Sequence, residues 1–322
     1  MKELQKGINY PDDLESLSIK HEIKKNTLLV LFSRLKDLGL LVEEKAKISL
    51  LQESLYDRQI RFFRSFENQN RSGEELNQNL QHRTVLIVGL GGYGSWTALL
   101  CARMGIKTII GIDFDYVDIT NLHRQILYTR KDLGKPKIEV CKEKIQECDT
   151  SVNFIGHCLK IKQPKDLHVI VKETDFIFNP FSYLPQAKAR THPAQIVAQA
   201  ALDIHKPCLT FGGSWVGPLT IPGETPCYFC AIERLSNHCG LDPSQRNPYI
   251  QKRAFAPPIA TCCSLAVFEA SRFLSGCDSP QTMQGIMQLD ILSFANNRFF
   301  TLNRNNVCGF CSSYSIKKTR DE

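Results

Sequence analysis

Several absences narrow the function of this chain before any motif is read. No stretch of its 322 residues approaches the ~20 consecutive apolar residues that a membrane-spanning helix needs. The opening residues, MKELQKGINYPDD, hold no apolar core of a secretory signal. A cytoplasmic chain with no membrane partner is therefore expected. Internal repeats are absent too. Nor is there a dense block of one charge sign: the formal net charge is +7, but 40 Lys and Arg and 33 Asp and Glu are spread along the chain. So diffuse a basic excess does not call for nucleic acid. Cysteine, by contrast, is plentiful at 13 residues. Without a secretory signal, and with Cys101, Cys141 and Cys208 set in helical or strand patterns, these read as reduced thiols and not as a disulfide framework. The length allows one large domain and a small appendage.

What is present centres on residues 83–137. Arg83 to Val88 is a short apolar, β-branched run of the kind that makes a buried parallel strand. Gly89, Gly91 and Gly94 then form G-x-G-x-x-G, with Gly92 in the same turn, and Tyr93 to Met104 is patterned as a helix. Such a turn lets a phosphate approach the backbone, and the helix N-terminus offers it unpaired N–H groups. A second strand, Lys107 to Ile112, ends in Asp113, about 20 residues past the glycines, where an acid can hold a ribose hydroxyl. The glycines alone would suggest a nicotinamide enzyme. The next residues argue otherwise: Asn121, Arg124 and Gln125 stand in N-L-H-R-Q, and Lys137 closes G-K-P-K. Two cations close to a glycine turn suit a triphosphate, whose transferred charge they neutralise.

The combination D-F-D-x-V-x-x-x-N-L-x-R-Q…G-x-P-K resembles the adenylating enzymes of the ThiF/MoeB superfamily, bacterial relatives of the ubiquitin-activating enzymes. Tyr56-Asp57-Arg58-Gln59-Ile60 is similar to that family's R-Y-x-R-Q-I signature without its first arginine. Cys227 and Cys230 pair with Cys308 and Cys311 as two C-x-x-C knuckles, the donor set of a closed, structural four-thiolate zinc site. Ala256-Pro257-Pro258-Ile259 opens an apolar helix running to Leu274, and the resemblance spans residues 55–312.

The resemblance implies ATP and magnesium as cofactors, with zinc as a structural ion. It also implies attack of a carboxylate on the α-phosphorus of ATP. In that chemistry the glycine turn cradles phosphates, Asp113 holds the ribose, and Arg124 and Lys137 meet the triphosphate. Asn121 and Gln125 position the loop, while Arg58 enters from the other subunit of a homodimer. Asp115 is either a second ribose or magnesium-side acid, or a helix cap. Cys239, in the polar run N-H-C-G-L-D beside His238, is a candidate for thioester capture, whereas Cys262 and Cys263 read as packing residues. One departure concerns magnesium: where the family carries an acid after the strand at Thr174 to Phe178, this chain has Ser182, a weaker ligand.

The expected fold is α/β, a Rossmann-like doubly wound sheet with a zinc knuckle over residues 53–322, preceded by a winged-helix module over 1–52. In that module Asp12 to Ile19 and Lys25 to Leu38 are helix-patterned, Gly39 is a C-cap, and strands follow from Leu40 to Leu51. Glu67 to His82 reads as a polar, mobile connection with some helix. Further strands are expected near Ser151 to Ile155, Asp175 to Phe178, Cys208 to Phe211, Gln288 to Leu292 and Arg298 to Leu302.

The amino-terminal module resembles the peptide clamp of superfamily members that tailor ribosomally made peptides, the microcin C and pantocin types. The implied partner is a short precursor peptide with a leader. The Asn179 to Tyr183 segment favours pantocin-like cyclisation at glutamate side chains with loss of water over microcin-like C-terminal modification. Two alternatives stand beside this: activation of a Gly-Gly-ended sulfur carrier, and a non-catalytic peptide- or nucleotide-binding scaffold.

Overall fold

The apolar runs that flank the glycine cluster, β1 (Thr84–Val88) and β2 (Thr108–Ile112), lie side by side as parallel strands, Val88 opposite Ile112. They belong to a computed structural model of the chain that describes residues 12–37, 55–68, 71–181, 192–239, 254–290, 293–305 and 307–313. Two compact units divide the chain, Met1–Asp57 and Arg58–Glu322.

In the first unit, α1 (Asp13–Lys20) and α2 (Lys25–Asp37) bury Leu14, Leu28 and Phe32 in one cluster. Both helices fall where the periodicity puts them. Gly39 and the strands expected from Leu40 to Leu51 lie outside the described residues.

The second unit is built on an eight-stranded sheet in the order β3-β2-β1-β4-β5-β6-β7-β8. Its parallel half holds β3 (Asn153–His157), β2, β1, β4 (Phe176–Asn179) and β5 (Cys208–Gly212). An antiparallel half continues through β6 (Trp215–Thr220), β7 (Gly285–Gln288) and β8 (Arg298–Thr301). The period-2 geometry of β4 splits its side chains between two layers. Phe176 and Phe178 enter the cluster formed with α5 (Gly92–Arg103) and α10 (Ala256–Ser275), while Ile177 enters the one formed with α8 (Pro193–Asp203). Phe176, Phe178 and Phe211 are fully buried, each stabilising the fold by about 2 kcal/mol. Cys262 and Cys263 belong to this core: burial pushes the first thiol up to about 12 and the second well above its ordinary range. They are packing residues, as expected.

Three expectations need correction. Within Glu67 to His82 the expected helical content is present, but it is packed and not part of a mobile connection: α4 (Gly73–Gln81) starts at a capping box in which Ser72 and Glu75 satisfy each other's backbone, and it buries Leu76, Asn77 and Leu80. The polar composition concealed its burial because only one stripe of a short helix must be apolar. Strand β7 begins three residues earlier than the expected Gln288 to Leu292, and β6, which pairs with it, had no counterpart in the sequence reading. Finally, the run holding Cys239 is not a loop at that residue, since α9 (Tyr228–Cys239) extends through it. No helix among the described residues is long and apolar enough to cross a membrane.

Candidate nucleotide site and thiolate cluster

At the end of β1 the chain turns onto the sheet face that carries α5, and at the end of β4 it turns onto the opposite face, towards α8. Neighbouring strands whose connections leave in opposite directions open a crevice at their carboxyl ends, the usual ligand position in an open α/β sheet. The glycines line it. Gly89 has φ +89°, a left-handed conformation that favours glycine. A side chain on Gly94 would put its Cβ 1.8 Å from the Gly89 carbonyl, so helix and turn touch backbone to backbone. Gly91 is different: a Cβ there would meet only Gln125 Nε2 at 3.8 Å. Gly94→Ala should therefore prevent folding, at a cost of ~4 kcal/mol or more. Gly91→Ala should keep its melting temperature yet lose nucleotide affinity, because the added methyl fills the cradle. Thermal unfolding and titration with ATP check both.

Asp113 ends β2 and is nearly buried, and it braces the turn. Its Oδ2 accepts the Leu90 N–H at 2.7 Å and its Oδ1 the Asp115 N–H at 2.8 Å. Tyr128, whose hydroxyl donates to the Leu90 carbonyl at 2.8 Å, holds the same turn from the other side. Lys137 is only 4 % exposed and is the first residue of α6 (Lys137–Cys148), where the helix dipole disfavours a cation. Its Nζ pairs with Asp115 Oδ2 at 3.1 Å, so Asp115 is an ion-pair partner here and not a helix cap. A buried lysine needs a compensating charge, and Asp115 supplies it here.

Arg124 is half-buried against the glycine turn. Its Nη1 donates to the Thr120 carbonyl at 2.6 Å, its own carbonyl accepts from Trp96 Nε1 at 3.1 Å, and its Cδ would lie 3.8 Å from a Cβ on Gly92. Asn121 is buried and closes the preceding turn by accepting the Asp118 N–H. Gln125 is buried too, and its Oε1 has no partner among the described residues. An acceptor left over beside an open glycine cradle, with two cations nearby, fits a nucleotide that brings both donors and phosphates. The structure thus brings together Gly89, Gly91, Gly92, Gly94, Asp113, Asp115, Asn121, Arg124, Gln125 and Lys137. It does not bring in Arg58, which is exposed on α3 (Asp57–Arg64) with no hydrogen bond or ion pair to the described residues. Ser182 and the side chain of Cys239 lie outside the described residues.

The sequence reading missed several contributors. Trp96 and Tyr128 hold the loops through single hydrogen bonds that no spacing signals. Ile259 packs over Gly92, 3.1 Å from where its Cβ would stand, and Phe181 reaches within 3.4 Å of one on Gly89. Only the Ala256-Pro257-Pro258-Ile259 motif hinted at any of this, by marking where α10 starts.

The second constellation is sulfur. Cys227, Cys230, Cys308 and Cys311 are all buried, with their Sγ atoms within 4.8 Å of one another. Cys227 lies 3.7 Å from Cys230 and 3.8 Å from Cys308, and Cys230 lies 3.6 Å from Cys311. A zinc ion with bonds of about 2.3 Å spaces tetrahedral thiolates about 3.8 Å apart, so this cluster fits zinc. Hydrogen bonding from the Cys227 thiol holds Cys230 and Cys311 below the usual thiol range, while Cys227, as the donor, is pushed up. Phe229 and Phe310, one from each knuckle, stack with ring centroids 3.6 Å apart, and Arg304 donates to the Cys311 carbonyl at 2.8 Å.

Comparison with known proteins gives the same frame. A family model described as the ThiF family matches residues 56–310. The sulfur carrier protein adenylyltransferase of Thermus thermophilus is 27 % identical over 74 % of this chain and 86 % of its own length. The molybdopterin-synthase adenylyltransferase of Escherichia coli is 27 % identical over 81 % of this chain and 97 % of its own. Among solved structures, E. coli MccB with succinimide has a TM-score of 0.75 at 22 % identity, covering 92 % of this chain and 85 % of MccB. PaaA has a TM-score of 0.71 at 22 % identity, covering 94 % and 90 %. At such identities the structural likeness speaks for the fold alone.

Proposed function

This chain is an ATP-dependent adenylyltransferase of the ThiF family, and from that premise we propose that the carboxylate it activates belongs to a short, ribosomally made precursor peptide. The observation that carries this is the unit Met1–Asp57, which stands ahead of a family match beginning at residue 56. Added support comes from the likeness to the microcin C7 biosynthetic enzyme MccB, solved with ATP and with N-formylated MccA. In our reading residues 1–52 clamp the leader of the peptide and residues 53–322 carry the chemistry. A sheet edge and helix groove in such a clamp take an extended leader as an added strand.

A carboxylate is a poor acyl electrophile. Its oxygen attacks the α-phosphorus, pyrophosphate departs, and the resulting acyl adenylate carries a good leaving group. Positioning and charge neutralisation supply most of the help this step needs. The turn at 89–92 and the N-terminus of α5 would take the phosphates. Asp113 would take the ribose, keeping spare lone pairs beside its two backbone bonds. Arg124 and Lys137 would offset charge on the departing pyrophosphate, with Arg58 of a second copy completing the site in a homodimer. Magnesium, when bound with ATP, supplies further neutralisation of the triphosphate. Zinc on the four thiolates would be structural, since four protein ligands leave no open position. For the product we favour activation of glutamate side chains and cyclisation with loss of water.

A second reading has a specific observation in its favour: relatives such as the ThiS adenylyltransferase of E. coli, 27 % identical over 73 % of this chain, act on a sulfur carrier. Intact mass separates the two. The protein with Mg-ATP is incubated with candidate precursor peptides and, in parallel, with a Gly-Gly-ended carrier. A peptide that loses water, or gains a nucleotide, is the expected result. An unchanged peptide beside an adenylated carrier would overturn the peptide reading.

A further inference from the structure

Three carboxylates follow β2, those of Asp113, Asp115 and Asp118. Asp113 is nearly buried, and each of its oxygens accepts a backbone N–H. Asp118 uses Oδ1 to cap its own turn, accepting the Thr120 N–H at 2.8 Å and the Thr120 hydroxyl at 2.6 Å. Asp115 is different. Its side chain is 52 % exposed, and Oδ2 meets Lys137 Nζ at 3.1 Å. Its Oδ1 has no hydrogen-bond or ion-pair partner among the described residues.

That carboxylate stands beside the glycine turn. Val88 pairs with Ile112, so the turn and Asp113 leave the sheet at the same end. The Asp113 carboxylate then joins Leu90 of the turn to the backbone of Asp115. Lys137 opens α6, whose Val140, Cys141 and Ile145 share one core cluster with Ala98 and Cys101 of α5. The Asp115–Lys137 pair and the turn therefore lie on the same face of the sheet.

Charge decides what this arrangement can hold. With no ligand, Asp115 compensates the buried Lys137. A triphosphate arriving at the turn brings Lys137 a richer counter-charge and leaves Asp115 as an anion among anions. Like charges a few ångströms apart repel strongly where water is partly excluded. A hard divalent cation between them removes that repulsion. Magnesium beside phosphates takes one or two carboxylates as its protein ligands, and Asp115 has the uncommitted oxygen to be one.

We propose that Asp115 is a ligand of the nucleotide's magnesium ion, its carboxylate releasing Lys137 to the phosphates and taking the ion in its place. The assignment rests on the nucleotide reading of the crevice. It accounts for how the chain manages with Ser182 where its family carries an acid.

The test is calorimetric titration with the non-hydrolysable nucleotide AMPCPP, in EDTA and across a magnesium series, for the full chain, Asp115→Asn and Asp118→Asn. In the wild type, magnesium should tighten nucleotide binding. In Asp115→Asn the magnesium concentration giving half of that gain should rise at least about tenfold, a loss typical even of a metal's outer-shell partners. Its affinity in EDTA should equal or exceed wild type, because the repulsion is gone and Lys137 is free to meet phosphate. Asp118→Asn should follow the wild type. Manganese bound with AMPCPP, followed by paramagnetic resonance, is a second readout and should weaken in Asp115→Asn alone. If Asp115→Asn does not fold, Asp115→Glu carries the comparison. It keeps the counter-charge of Lys137, moves the carboxylate by one methylene, and should shift the magnesium dependence in the same direction by a smaller factor. An unchanged magnesium dependence in the variant that folds makes Asp115 only the counter-ion of Lys137. That result overturns the assignment and leaves the nucleotide site standing, as does a shift in Asp118→Asn alone. Wild-type binding that magnesium does not tighten also overturns it. A wild-type chain that binds AMPCPP neither with nor without metal overturns both readings.

Discussion

Arg124→Ala is expected to lower turnover with Mg-ATP and substrate about 10²–10³-fold while leaving the melting temperature nearly unchanged. That loss corresponds to about 2.7–4 kcal/mol of transition-state stabilisation, the amount typical of one preorganised charge-stabilising group. The side chain is already in place: Thr120 fixes the guanidinium, Trp96 fixes the backbone, and the aliphatic stem lies along Gly92. Little reorganisation is therefore needed when charge develops. The residue is half-buried and packs on a turn, not in the core, so its removal should cost the fold less than about 1 kcal/mol. Arg124→Lys should not restore the rate, because an ammonium lacks the planar fork that can hold two phosphate oxygens at once. Steady-state rates of pyrophosphate release, read beside thermal unfolding, check this. Undiminished turnover in Arg124→Ala would show that the N-L-H-R-Q segment is a surface turn.

Replacing Cys227 or Cys308 by serine is expected to have the larger effect on the fold. Wild-type protein should carry one zinc ion per chain, and either variant should carry none and lose soluble, cooperatively unfolding protein. The thiolate cluster ties residues 227–230, at the start of α9, to residues 308–311 near the end of the described chain. Around it pack the buried Leu202 and the half-buried Phe229 and Phe310. Structural zinc contributes about 10–16 kcal/mol of apparent binding free energy in small peptides. Even a fraction of that matters against the about 5–15 kcal/mol by which a whole domain is stable. Metal analysis and thermal unfolding, before and after chelation, measure it. Full stability without zinc would mean that the thiols pack without metal.

What was legible in the sequence follows a physical divide. Residues that act through the backbone next to them were readable: Gly89 by its left-handed turn, Gly94 by its contact with that turn, and Asp113 by its place at a strand end. The four cysteines were readable because the spacing within each C-x-x-C pair is itself local. Groups that act across the fold were not. Trp96 meets Arg124, and Ile259 meets Gly92, only once distant segments have packed. Strand β6 was missed because Trp215–Thr220 contains a glycine and a proline that weaken its pattern, although its pairing with β5 and β7 holds it in the sheet. Some helix was expected where α4 lies, but its composition of Glu, Asn and Gln hid how firmly it is packed, and the Ser72–Glu75 box marks its start.

The central claim is that a carboxylate oxygen attacks the α-phosphorus of ATP in the crevice between β1 and β4. Tracing that oxygen tests it most directly. A candidate precursor peptide with ¹⁸O in its carboxylates is treated with the enzyme and Mg-ATP, and the nucleotide product is weighed. The account predicts AMP that has gained one ¹⁸O, because the attacking oxygen stays on phosphorus when the acyl group is passed on. ADP with the label in inorganic phosphate would place the attack on the γ-phosphorus and contradict the account.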